Sequence, residues 1–454
     1  MLINLLLLLS LIKSSFYTES SYIKDEYNRI RIFHGINRIE KQGNYYYNDM
    51  LSMKESYQMS KLGFNVVRLG WMWNAFEPSE NNFNMIYFNH IEKIVNNLGK
   101  KGIYTILDMH QDELGNKYCS KHGLPNWVIN KSKPKHPFPW PLKGTCDSRP
   151  WGENLLSEAL AQGFQDFYDN KNGMLDYFIK FWQLSLKLWK NNPYILGCEI
   201  INEPFIGNFY KDPLLFIPGI AGQKNLMPFY NKISDEIREY DYNRILFYEP
   251  VTWGMIYDNK IFGNGFNQVP GKIYTNTSIY SYHYYCSSFV FNSQNKPILR
   301  REICDKYLAP EIFKNTLKYI SKVGGSSFMT EFGICLKNDM TDECKYVIDT
   351  ANKYFQSWTD YTYAQTETLN FTKNWTSIYS RPYAQAISGT PLNISNINNL
   401  DFCFNIDISI KEPSIIFYKN FTNISVTKNL NYNITNNLIY LYNKDEGIGC
   451  IKLR

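Results

Sequence analysis

Along the chain, short runs rich in apolar and β-branched residues alternate with longer stretches whose apolar positions recur every three or four residues. The runs are Ile30 to Asn37, Phe64 to Leu69, Ile103 to Met109, Ile195 to Asn202, Ile245 to Tyr248, Ile279 to Tyr285, Ser327 to Thr330 and Tyr354 to Trp358. Between them, Asp49 to Leu62, Tyr87 to Lys100, Met174 to Trp189, Phe229 to Tyr240 and Glu311 to Val323 read as amphipathic helices. Repeated strand-helix units imply parallel pairing, because each helix carries the chain back across the sheet before the next strand begins. Eight runs in that rhythm predict an α/β protein built as a (β/α)8 TIM barrel. The longest insertion, Gln111 to Gly173, follows the third run, is rich in Pro and Trp, and is expected to cover the active face. After Arg381-Pro382 the pattern turns to period two in Asp401 to Ile408, Ser414 to Tyr418 and Leu438 to Tyr442. Residues 381–454 are therefore expected to form a small antiparallel β-sandwich packed on a barrel of residues 16–380.

The ends of the chain and its composition narrow the setting. Met1 to Ile12 is almost purely apolar, shorter than the roughly 20 residues of a bilayer span, and suits the core of a signal peptide covering residues 1–15. Eight Asn-X-Ser/Thr sequons, at Asn130, Asn276, Asn370, Asn374, Asn393, Asn420, Asn423 and Asn433, agree with export as a glycoprotein. Nine cysteines fit an oxidising compartment: Cys119/Cys146, Cys286/Cys304, Cys335/Cys344 and Cys403/Cys450 are the expected disulfides, with Cys198 as a buried free thiol. The expected location is thus extracellular or a lysosome-like lumen. No CxxC or HxxxH spacing supports a zinc site, and no cofactor is expected. The net charge of +6 is diffuse, without a Lys/Arg-rich block, so no nucleic-acid partner is expected. With 36 Tyr, 29 Phe and 10 Trp the chain has rings enough to stack on sugars or to fill a core.

Chemistry concentrates at the ends of the predicted strands, where barrel active sites are built. Asn202-Glu203-Pro204 closes the fourth run and Glu331-Phe332-Gly333 the seventh. Two carboxylates held rigidly at the mouth of a barrel can face each other across a sugar ring. Asn37, Arg68, His110, His283, Tyr285 and Trp358 fall at other strand ends. Singly, each has a plain explanation: Arg68 as an ion-pair partner, His110 as a satisfied core histidine, Tyr285 as a buried phenol, Trp358 as packing. Their joint position favours a site. Glu77 and Glu249 also follow predicted strands but lack a preceding Asn, while Glu199, even with Ile201 along an alternating strand, is out of phase with Asn202.

These motifs resemble the retaining, cellulase-like clan of barrel glycosidases, glycoside hydrolase family five. The finer resemblance is to its endoglycoceramidases, through His34-Gly-Ile-Asn37, Asp108-Met-His-Gln-Asp112, Tyr282-His-Tyr-Tyr-Cys286 and Arg381-Pro-Tyr-Ala-Gln-Ala386. The resemblance implies Glu203 as acid/base, Glu331 as nucleophile and Asn202 on the sugar 2-hydroxyl. His110 and His283 would orient sugar and carboxylates, and Asp112 and Lys41 would bind further hydroxyls. The chemistry agrees, since a nucleophilic carboxylate must stay ionised and needs donors such as Arg68 and Tyr285 beside it. The family often carries a second Trp three residues after the position of Trp358; here it is Tyr361, so the sugar platform is Trp358, Tyr361 or neither. The implied activity is endo-cleavage between oligosaccharide and ceramide by a monomer that meets its glycosphingolipid at a membrane or micelle surface. The apolar segment Leu214 to Ile220 is a candidate floor for the lipid. A cellulase, mannanase or glucosylceramide hydrolase on the same barrel, or a catalytically inactive carbohydrate-binding barrel, are the alternatives.

Overall fold

The computed structural model describes residues 16–41, 52–149, 152–251, 263–285, 307–333, 341–361, 373–395, 399–419 and 421–454. Eight parallel strands close into a barrel: β1 (His34–Arg38), β2 (Val66–Gly70), β3 (Tyr104–Asp108), β4 (Ile195–Glu199), β5 (Ile245–Tyr248), β6 (Ser278–Tyr284), β7 (Ser326–Gly333) and β8 (Ser357–Tyr361), with β8 pairing β1. Helices Met53–Lys61, Met85–Gly99, Met174–Trp189, Met227–Ile237, Ala309–Val323 and Thr341–Lys353 form the outer layer. Five of them fall on the predicted amphipathic segments. Each buries its apolar stripe on the barrel, as Met174–Trp189 does with Phe178, Phe181, Trp182 and Trp189.

Strand β8 begins later than the sequence suggests. The helix before it ends at Lys353, and Phe355 sits at φ 53°, in a turn. The apolar run from Tyr354 therefore belongs partly to that turn, and the strand extends to Tyr361. In β7 the pairing shifts between Met329 and Glu331 against β6 and between Met329 and Phe332 against β8, a bulge that turns consecutive side chains, Thr330 and Glu331, toward the barrel interior.

The other end of the barrel is closed by the chain's first described residues. The hairpin Phe16–Glu19/Tyr22–Asp25 packs Phe16 and Ile23 beneath the strands with Phe33, Val66, Ile106, Leu196, Ile279 and Phe328. Residues after 381 form two antiparallel sheets around Phe402, Phe404, Ile416, Ile439 and Ile451. One sheet takes in the N-terminal hairpin and Ile30–Arg31, which pairs with Tyr383–Ile387. Residues 16–31, grouped with the barrel by sequence, thus complete the C-terminal sheet. Disulfides Cys119–Cys146 and Cys403–Cys450 are present and Cys198 is buried and free. Cys286, Cys304 and Cys335 lie outside the described residues, as does the expected signal segment.

Candidate active site

The site is assembled around Arg68, which β2 points into the barrel with no solvent exposure. An isolated buried guanidinium would be very costly, so its donors must all be engaged. Nη1 donates to Glu331 Oε1 at 2.6 Å and to Asn37 Oδ1 at 3.0 Å; Nη2 donates to Asn202 Oδ1 at 2.7 Å and lies 3.1 Å from Asp108; Nε donates to Glu199. Asn37 in turn donates to the Thr330 carbonyl at 2.8 Å, an acceptor exposed by the bulge in β7. Asn37 and Arg68 thus act as the frame that aims Glu331 and Asn202. The amide nitrogen of Asn202 donates one hydrogen to the Gln111 carbonyl at 2.9 Å and keeps a second for a ligand hydroxyl.

Glu203 stands on the loop just beyond β4, at φ 41°. This left-handed backbone is held from both sides: the Glu203 N–H donates to Glu249 Oε2 at 3.1 Å, and its carbonyl accepts from Gln111 Nε2 at 2.9 Å. His283, from β6, bridges the two proposed catalytic carboxylates, its Nδ1 lying 2.8 Å from Glu203 Oε1 and 3.6 Å from Glu331 Oε2. Its Nε2 is 3.4 Å from Glu249 Oε1. One oxygen of Glu203 and one of Glu331 approach within 4.8 Å. Tyr285 donates to Glu331 Oε2 at 2.8 Å.

The electrostatics follow from this packing. Burial raises the Glu331 pKa, but His283, Arg68, His110 and Lys41 outweigh it and hold the carboxyl below its usual range. Burial would lower the His283 pKa, yet Glu249, Glu331 and the hydrogen bond to Glu203 lift it well above the ordinary imidazole value. Burial, reinforced by Glu199, drives Glu249 well above the usual carboxylate range. Glu331 is therefore an anion surrounded by donors.

A second cluster lies beside the first. Lys41 Nζ is 2.8 Å from Asp112 Oδ2, His122 Nε2 is 3.1 Å from the same oxygen, and His110 lies 2.7 Å from Asp108 and 3.4 Å from Asp112. The Tyr361 ring stands 5.2 Å from Lys41 Nζ and within the field of Glu331. His110, Asp112 and His122, like Glu203, His283 and Glu331, are spaced closely enough to ligate a metal. In the first group Lys41 pairs with Asp112, and in the second Arg68 pairs with Glu331.

Most of the sequence-predicted residues meet here: Asn37, Lys41, Arg68, His110, Asp112, Asn202, Glu203, His283, Tyr285 and Glu331. Trp358 does not. It is the second residue of β8, opposite His34, fully buried and stacked on that ring at 4.4 Å among Phe64, Phe332 and Tyr379. Because β8 runs from Ser357 to Tyr361, Trp358 lies near its start and Tyr361 is the aromatic at the mouth. Glu199 and Glu249 need the opposite correction. Strand β4 ends at Glu199, so alternation does not extend to Asn202, and Glu199 points inward to Arg68 and Ser281. Glu249 holds both Glu203 and His283. Its position directly after β5 was the available signal. Glu77 instead accepts from Trp73 and Asn81, a structural role.

A pair of closely set carboxylates at the C-terminal mouth of a (β/α)8 barrel defines a glycoside-hydrolase site. Residues 28–367 match the family described as Cellulase (glycosyl hydrolase family 5), and the chain belongs to that family. Among curated relatives, an endoglycoceramidase of Cyanea nozakii is 38% identical over 287 residues, 59% of this chain and 56% of the relative. An endoglycoceramidase of Hydra vulgaris is 37% identical over 288 residues, 59% of this chain and 54% of the relative. The matches thus span little more than half the length of these relatives. The ganglioside GM3 complex of endo-glycoceramidase II from Rhodococcus sp. shares the fold, with a TM-score of 0.76 at 18% identity, over 95% of this chain and 99% of that chain.

Proposed function

We propose that the chain is a retaining endo-glycosidase that cleaves glycosphingolipids between oligosaccharide and ceramide. The observation that carries the double-displacement part is the approach of Glu203 and Glu331 within 4.8 Å. Retaining enzymes hold their carboxyl groups roughly 5 to 5.5 Å apart so that one can touch the anomeric carbon, whereas inverting enzymes leave roughly 6.5 to 9.5 Å for a water. Glu331, kept ionised, attacks the anomeric carbon and forms the glycosyl-enzyme. Glu203 first protonates the leaving oxygen and then, as its conjugate base, takes a proton from the attacking water. The free amide hydrogen of Asn202 serves the 2-hydroxyl, and Lys41, His110 and Asp112 serve hydroxyls farther along the sugar.

Ceramide as leaving group is supported by the endoglycoceramidase relatives. Export into an oxidising, glycosylating compartment belongs to the same reading. It is supported by two disulfides and by exposure of the sequon asparagines Asn130, Asn276, Asn393, Asn423 and Asn433.

Thin-layer chromatography of a detergent-dispersed ganglioside digest tests the reading. Intact oligosaccharide and intact ceramide are expected, with the substrate's anomeric configuration retained by NMR. Glu203→Gln and Glu331→Gln should each lower turnover by several orders of magnitude while the protein stays folded. Efficient digestion of carboxymethylcellulose or mannan with the glycolipid untouched would replace ceramide by a polysaccharide substrate.

A further inference from the structure

A row of rings leaves the site and ends in solvent. Phe205, two residues past Glu203, meets Phe209; Phe209 packs on Tyr210 at 4.5 Å and on Phe216 at 4.6 Å. Tyr210 lies 5.8 Å from Trp140, which stacks on His136 at 3.8 Å, and its hydroxyl donates to the Leu156 carbonyl. The outer members are exposed: Leu214 55%, Phe216 44%, Leu156 44%, Trp140 41%. Two loops that follow β3 and β4 thus join at the catalytic face in one continuous apolar ridge. Contiguous exposed apolar side chains with a polar rim mark an interaction surface.

The surrounding charge indicates what covers it. Lys133, Lys135, Lys143 and Lys211 are exposed on the same two loops, and none of them forms an ion pair among the described residues. Lys135 is tied directly to the ridge, since its N–H and that of His136 both donate to the Glu158 carboxylate, whose own N–H donates to the Trp140 carbonyl. Of the nearby acids, Asp212 is paired with Lys224 at 2.6 Å and Glu158 is buried; Asp147 is exposed. Amphipathic Trp and Tyr rings, aliphatic side chains and a rim of lysines together complement the headgroup layer of an anionic bilayer.

We propose that the ridge of Trp140, Leu156, Tyr210, Leu214 and Phe216 docks the protein on anionic lipid bilayers, independently of any sugar headgroup. The proposal extends the glycosphingolipid reading, because it sets the mouth of the site against the layer in which a ceramide is anchored. Apolar side chains enter the headgroup boundary and the lysines supply charge attraction, each worth about a fivefold gain in attachment near an anionic surface.

The test is cosedimentation of the full chain with vesicles that contain no glycosphingolipid, either phosphatidylcholine alone or phosphatidylcholine with phosphatidylserine. Attachment at least about tenfold tighter to the anionic vesicles is expected. Trp140→Ser with Leu156→Ser should weaken attachment to both vesicle types, whereas Lys133→Gln, Lys135→Gln and Lys143→Gln together should remove most of the preference for phosphatidylserine. Both sets should leave hydrolysis of detergent-dispersed glycolipid unchanged. Absence of vesicle binding, binding that neither set alters, or a concentration-dependent dimer abolished by the ridge variants would overturn the proposal. Vesicle binding through the ridge without glycolipid cleavage would retain the docking surface and refute the proposed activity; cleavage in micelles without vesicle binding would do the reverse.

Discussion

At the scale of single residues, the site depends on holding Glu203 in a backbone conformation that a glutamate rarely adopts. Its φ of 41° is maintained by Glu249 on the amide and Gln111 on the carbonyl, neither of which needs to touch substrate. Gln111→Ala removes one clamp and leaves every charge in place. Because a displacement of about 1 Å at a reacting group costs on the order of 10²-fold, kcat should fall by roughly 10 to 100-fold with KM little changed. Steady-state kinetics decide this, and a variant that loses only KM would place Gln111 on the sugar instead. The two aromatic candidates separate as cleanly. Tyr361→Ala should raise KM by about tenfold through a lost stacking surface. Trp358→Ala, emptying a fully buried site, should cost about 3 to 5 kcal/mol of stability. A raised KM in Trp358→Phe with Tyr361→Ala silent would reverse these roles.

At the scale of elements, the barrel was legible because each strand carries an apolar run bounded by a polar site residue, and each intervening helix repeats its apolar positions every three to four residues. The site was legible for a related reason, since a barrel gathers strand ends at one mouth. Two local departures from regularity were not. A turn at Phe355 hides the start of β8 inside an apolar run, which misplaced Trp358. The break after Glu199 ends the strand's alternation, so Glu199 and Asn202 both reach Arg68, and nothing in sequence order joins Glu249 to the Glu203 amide. Element packing also sets a pH dependence. His34, on β1, is clasped between Trp358 at 4.4 Å and Tyr383 at 3.7 Å, and burial, aided by Arg381, holds its pKa well below the ordinary value. The unfolded chain therefore takes up this proton first. Stability is intact above about pH 6.5 and falls below it by up to about 1.4 kcal/mol per pH unit until the folded pKa is reached. Thermal melts between pH 7.5 and 5 should show a shallower loss in His34→Gln than in the parent, and parallel losses would exclude His34 as the cause.

At the scale of the whole molecule, the chain's path ties barrel and sandwich into one structure. Its first described residues form a hairpin that plugs the barrel, where the Phe16 ring meets Phe33 at 5.5 Å and Tyr104 at 4.7 Å, and the chain passes through Ile30–Arg31 before entering β1. After β8 it returns to pair Ala386 with Arg31 and Ile387 with Ile30. The joint is also packed: the Tyr383 hydroxyl donates to the Gly63 carbonyl at 2.7 Å, and a Cβ added at Gly63, where φ is 86°, would lie 2.4 Å from the Phe417 ring. A β-sheet whose strands come from both sides of the barrel cannot form before the barrel brings those strands together. Calorimetry should therefore give a single unfolding transition, with calorimetric and van't Hoff enthalpies in agreement. Ending the chain at residue 380 removes the partner strand of Ile30–Arg31 and uncovers the Gly63 face, so the truncated protein should aggregate rather than persist as an active barrel. Two resolved transitions, or a soluble and active 1–380 fragment, would show that the sandwich is an independent attachment and that the shared sheet contributes little to the barrel.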